Sequence, residues 1–122
     1  MVLKQTLERV HLSNRIKAIP SYAFSKCSSL KNLYILDTVL KIGAHAFNGC
    51  SSLVSIRLPI NLKTIAEGTF NGCRSLKKVY LSDTIETIGN YVFAGCISLR
   101  KPWIPKNIKS ISETAFNAFE QT

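Results

Sequence analysis

The sequence predicts an α/β solenoid, a stack of 23-residue coils that each contribute a short strand and a short helical or 3-10 turn. The first observation is a ladder of aromatic residues: Phe24, Phe47, Phe70, Phe93 and Phe116 stand 23 residues apart. Cys27, Cys50, Cys73 and Cys96 follow three residues after the first four, and Leu30, Leu53, Leu76 and Leu99 three residues later again. The second observation is that other apolar columns keep the same step. They are Leu33, Ile56 and Val79; Ile35, Leu58, Leu81 and Ile104; Val39, Leu62, Ile85 and Ile108; and Ile42, Ile65, Ile88 and Ile111. Leu7, Val10, Leu12, Ile16 and Ile19 occupy these columns too, so a first coil is present without its opening third. A fixed period of this length marks a repeat architecture, in which one unit cannot bury its own apolar face and stacking makes the core. The chain divides into one domain, 1–122, with a partial coil at 1–22, full coils at 23–45, 46–68, 69–91 and 92–114, and a partial coil at 115–122.

Each element of the coil has a local reason. Leu53-x-x-Ile56-x-Leu58 marks a short strand, because residues two apart share a face. Ile56 and Leu58 are expected inward, Ser55 and Arg57 outward. A second short extended piece is expected around Ile42, Ile65, Ile88 and Ile111. The stretch Ala46-Phe47-Asn48-Gly49-Cys50 reads as a helical or 3-10 turn closing on glycine. Gly49, Gly72 and Gly95 share a column suited to a left-handed backbone, although Lys26 stands there one coil earlier.

Bulk composition sets the outer bounds. The chain has 122 residues, 46% of them apolar, enough for one packed core. No run of about 18 apolar residues is present to cross a membrane as a helix. Residues 1–6 lack the apolar stretch of a signal peptide, so the chain is read either as cytosolic or as lacking a leader and flanking regions. Sixteen Lys and Arg against seven Asp and Glu give a formal charge of +9, which attracts anionic partners or simply keeps a repeat protein soluble.

The unit Ile42-Gly43-Ala44-His45-Ala46-Phe47-Asn48-Gly49-Cys50-Ser51-Ser52-Leu53, continuing to Leu58-Pro59, resembles the BspA-like, or Treponema pallidum-type, leucine-rich repeat. The resemblance covers essentially the whole chain. It implies a right-handed superhelix with a parallel sheet on the concave face, and a role in adhesion at the surface of bacteria or parasitic protists. It also implies a cell-surface or secreted location. Leu36 and Ser82 depart from the family pattern at the column of Pro59 and Pro105, and Pro102 replaces an inward aliphatic.

Catalytic and metal-binding chemistry finds little support. The cysteines lack the short spacings of zinc sites, and their 23-residue step stacks them as buried free thiols. A disulfide is not excluded by distance, since neighbouring coils lie about one strand spacing apart. His11 and His45 have no nucleophile or metal partner in the sequence, and lie on opposite sides of the coil. Asp37 and Asp83 share a column two coils apart, on the order of 10 Å, a separation an inverting glycosidase pair uses. Both stand in turns, where aspartate bonds the backbone. No phosphate loop, nucleophile elbow or metalloprotease motif occurs. The sequence therefore points to a non-catalytic binding scaffold with no cofactor and no metal.

The outward strand positions carry the candidate site. One column reads His11, Tyr34, Arg57, Tyr80 and Trp103; its neighbour reads Arg9, Asn32, Ser55, Lys78 and Lys101. Aromatics and Arg dominate interface hot spots, and a strand spacing of about 4.8 Å would bring the rings into a continuous strip. Exposed strands also favour aromatics for their own stability. The expected partner is a protein, and by the resemblance an extracellular-matrix or host surface protein. Stacked aromatics with Lys and Arg would alternatively suit a polyanion, either a sulfated glycan or single-stranded nucleic acid.

Neither end carries a polar cap of the kind solenoids use. Pro102 suits an edge strand. The expectation is a fragment of a longer array, or a chain that self-associates end to end through its first coil.

Overall fold

The structure is a computed structural model and describes residues 6–100 and 104–116. It is a parallel β-solenoid in which every coil advances by 23 residues. One row of strands comprises β1 (Arg9–His11), β3 (Asn32–Tyr34), β5 (Ser55–Arg57) and β7 (Lys78–Tyr80). A second row comprises β2 (Ala18–Ile19), β4 (Lys41–Ile42), β6 (Thr64–Ile65), β8 (Thr87–Ile88) and β9 (Ser110–Ile111). Pairing is parallel and in step with the repeat: Val10 lies beside Leu33, Ile56 beside Val79, and Ile65 beside Ile88. In the first row β1 pairs β3 and β5 pairs β7; in the second β2 pairs β4, and β6, β8 and β9 form a triplet.

The core is the set of columns read from the sequence, except that Ile111 in the last strand is exposed. Phe47, Phe70 and Phe93 are fully buried, and the rings from Phe24 to Phe116 stack with centroids 5.3–5.8 Å apart. That spacing lies within the range aromatic pairs prefer. The four cysteines are buried and unbridged. Cys50, Cys73 and Cys96 each donate from Sγ to the carbonyl of a Phe in the preceding coil, at 3.1–3.2 Å. Burial pushes the Cys96 thiol up to about 12 and raises Cys73 as well.

The expected helical or 3-10 turn is not there. No α-helix forms among the described residues, and the Phe-bearing stretch is a chain of turns. The reason lies in an alternation of backbone sign. Each coil places two residues at positive φ, four apart: Tyr22 and Lys26, His45 and Gly49, Gly68 and Gly72, Tyr91 and Gly95. A right-handed helix cannot pass through such residues. The alternation sends successive N–H groups in different directions. Ala46, Asn48 and Cys50 donate back three residues, while His45, Phe47 and Gly49 donate to Glu67, Thr69 and Asn71 of the next coil. The turn thus adds a third inter-coil ladder. Gly49, Gly72 and Gly95 fill the left-handed column expected of them, Lys26 adopts it too, and the column of Tyr22, His45, Gly68 and Tyr91 is an additional one.

Candidate functional site

The outward columns fall where the strand alternation places them. In β1, β3, β5 and β7 the middle residue faces the core and its neighbours face solvent: Ile56 and Val79 are buried, Val10 and Leu33 half-buried. Arg9 lies beside Asn32, His11 beside Tyr34, Ser55 beside Lys78 and Arg57 beside Tyr80. Arg9, His11 and Lys78 are exposed. Tyr34 and Tyr80 remain 61% and 55% exposed, high for rings of this size. Lys101 and Trp103 lie outside the described residues.

Two features differ from the expected continuous ring strip. His11, Tyr34 and Tyr80 form no ring stack with one another; the stacks among the described residues are the Phe ladder and Tyr22 on His45, 5.0 Å apart. The strand row also lapses between β3 and β5, which are not paired. The rows on either side are therefore two pairs rather than one sheet.

Arg57 is anchored. Its guanidinium donates from both terminal nitrogens to the two carboxylate oxygens of Asp37, at 3.1 and 3.2 Å. Asp37 also accepts the N–H of Ile60 at 3.0 Å. The Arg57 hydrogen bond and then that of Ile60 hold the Asp37 carboxyl below its ordinary value, and Asp37 raises Arg57. The turn role expected for Asp37 is met in a changed form: its carboxylate bonds the backbone of the next coil and an Arg on the strand face. Sequence reasoning missed that second partner. The available signal was their separation, 20 residues, which is one coil less three. Asp83, in the same column, is exposed.

Lys77 and Arg100, from the adjoining column, are exposed as well, and Glu8 lies at its start. The strand face thus presents aromatic rings, a guanidinium held by Asp37 and exposed cations. Such a surface can stack on and hydrogen-bond a partner; His11 has no ion-pair partner among the described residues. No helix of the described residues is long and apolar enough to cross a membrane.

The sequence matches the BspA type leucine rich repeat region in six copies over residues 3–121. Among solved structures, a leucine rich cell surface protein from Faecalibacterium prausnitzii superposes with a TM-score of 0.88 at 31% identity, over 92% of this chain and 30% of that one. The T. pallidum leucine rich repeat protein gives 0.85 at 33% identity, over 90% and 54%. A leucine-rich repeat protein from Bacteroides ovatus gives 0.77 at 38% identity, over 84% and 26%. No functionally curated protein matches. This chain spans between about a quarter and a half of the length of those three proteins. With its six repeat copies, its stacked parallel strands and its Phe ladder, the chain belongs to the BspA-type leucine-rich repeat family.

Proposed function

We propose that the chain is a non-catalytic protein-binding scaffold that works at a cell surface, in adhesion or host interaction, through the row of β1, β3, β5 and β7 as its concave face. The observation that carries this is the exposure of Tyr34 and Tyr80 on either side of Arg57, with Arg9 and Lys78 in the adjoining column. Rings that lose little entropy on contact, beside an Arg already held in place, suit a protein hot spot. Leucine-rich repeat families are in general protein binders, and the F. prausnitzii relative is described as a cell surface protein. Lys101 and Trp103 extend the same columns in the sequence.

The second reading, a binder of sulfated glycan or single-stranded nucleic acid, is favoured by the net charge of +9 and the exposed Arg9, Lys77, Lys78 and Arg100. Against it, Arg57 at the centre of the strip is already neutralised by Asp37. The test is a binding screen with immobilised collagen, laminin and fibronectin, heparin and oligo-dT, at low and high salt. The protein reading expects one matrix protein to bind, with modest salt dependence, and the double variant Tyr34→Ala/Tyr80→Ala to lose at least tenfold without a change in Tm. Retained affinity in that variant overturns the site. Binding to heparin or oligo-dT alone, falling steeply with salt, replaces it with the polyanion reading.

A further inference from the structure

Among the described residues, one interface in the stack lacks the strand-row bonds that the others have. In the second strand row, Leu40 donates to Lys17 and Gly43 to Ile19, both at 2.7 Å. Two coils on, Glu86 donates to Lys63 and Gly89 to Ile65; one further, Lys109 donates to Glu86 and Ser112 to Ile88, all at 2.7–2.9 Å. The equivalent donors of the coil between, Lys63, Thr64 and Ala66, have no backbone acceptor, and the carbonyls of Leu40 and Ile42 go without those donors. β4 and β6 are unpaired. The lapse between β3 and β5 is its counterpart in the first row, so a seam runs between two coils. The β4–β6 gap is closed at one end by His45 N–H to Glu67, at 2.8 Å, and at the other by Ile60 N–H to Asp37. Thr38 and Thr84 staple the coil pairs on either side through hydroxyl-to-carbonyl bonds, whereas Asn61, in their column, makes no such bond.

A groove of about 790 Å³ opens on this seam. Its walls include Ile19, Leu40, Ile42 and Leu62, with Lys41 and Lys63 at the rim and no carboxylate among the lining residues. Unpaired strand edges are the template for adding a strand, and in strand addition the backbone supplies affinity while side chains seat in flanking pockets. Here two edges face each other, offering the N–H groups of Thr64 and Ala66 and the carbonyls of Leu40 and Ile42. An apolar lining under two lysines selects an apolar strand carrying negative charge. We propose that the seam takes a short extended peptide of a partner protein, apolar with at least one carboxylate, as an added strand between β4 and β6. The flanking strands must then stand about 9.6 Å apart, twice the ordinary spacing. No β4–β6 strand bond has to break for that, but the His45–Glu67 bond, one residue from Ala66, must open with them. The Ile60–Asp37 closure limits the insert at the other end to a few residues. This site is separate from the Tyr34–Tyr80 strip and does not depend on its role.

The probe is an acetylated, amidated pentapeptide of alternating valine and glutamate, titrated into the whole chain by calorimetry, with hydrogen exchange read by NMR. In the free protein the amides of Thr64 and Ala66 exchange fast, whereas Lys41, Gly43, Thr87 and Gly89 are protected. Adding the peptide slows Thr64 and Ala66 at least tenfold. The same peptide methylated on alternate backbone nitrogens binds at least tenfold more weakly. Lys63→Glu, at an exposed position, weakens binding similarly with Tm unchanged, while Tyr34→Ala/Tyr80→Ala leaves it intact. Any of four results overturns the proposal: no binding at millimolar peptide, equal binding of the methylated peptide, equal competition by dodecanoate (an amphiphile site), or a dimer by light scattering in which Thr64 and Ala66 are already protected (a second copy on the seam).

Discussion

Arg57 on β5 reaches Asp37 in the preceding coil with a two-point hydrogen bond, and the same carboxylate takes the N–H of Ile60. This pair ties coil to coil at a place where the strand ladder is absent. Both side chains stay partly exposed, at 40% and 38%, so water and salt weaken the attraction.

The pair has a defined pH signature. The Asp37 carboxyl is held below its ordinary value, so the folded state binds this proton less readily than the unfolded chain. Its contribution is therefore fully present above the ordinary carboxylate value, and is lost as pH falls through the depressed one. Asp37→Asn should lower Tm at neutral pH, and the gap to the parent should close in strong acid. Thermal melts of both proteins from pH 7 to pH 2 measure this.

Phe70 lies mid-ladder, between Phe47 and Phe93, with no exposed surface. Phe70→Ala should cost about 3–5 kcal/mol, from lost transfer energy and the cavity left behind. Phe70→Leu should cost clearly less, because it fills more of that space. Urea unfolding of both variants gives the comparison.

The thiol column should be chemically silent in the folded protein. With the Cys96 thiol pushed up to about 12, roughly one molecule in ten thousand carries its thiolate at pH 8. Thiol titration of the native chain at pH 8 should be very slow, and denaturant should release four thiols promptly. Fast native reaction would show that the column is open to solvent.

Gly68 tests the left-handed column that the sequence did not reveal. Its φ is +63°, and a Cβ there would collide with the imidazole of His45. Gly68→Ala should therefore destabilise by more than the roughly 1–2 kcal/mol of a left-handed non-glycine residue. Lys26 stands at positive φ without such a clash. Lys26→Gly should be neutral or stabilising by up to about 1 kcal/mol. Paired melting curves separate the two cases.

The spacing of apolar residues determined the coil length, the inward columns and the outward face of Tyr34, Arg57 and Tyr80. Each of these follows from side-chain period, a property of short stretches of chain repeated in step. Three things were decided only by the stacked backbone. The Phe-bearing turn became an alternation of right- and left-handed residues because its N–H groups are shared with the next coil, which no single 23-residue stretch expresses. Arg57 found Asp37 because stacking brings residues 20 apart into contact. The seam between β4 and β6 lies between two coils whose apolar columns match; Asn61, in the column of Thr38 and Thr84, is its one sequence mark, and only the placement of one coil's donors against its neighbour's acceptors shows it.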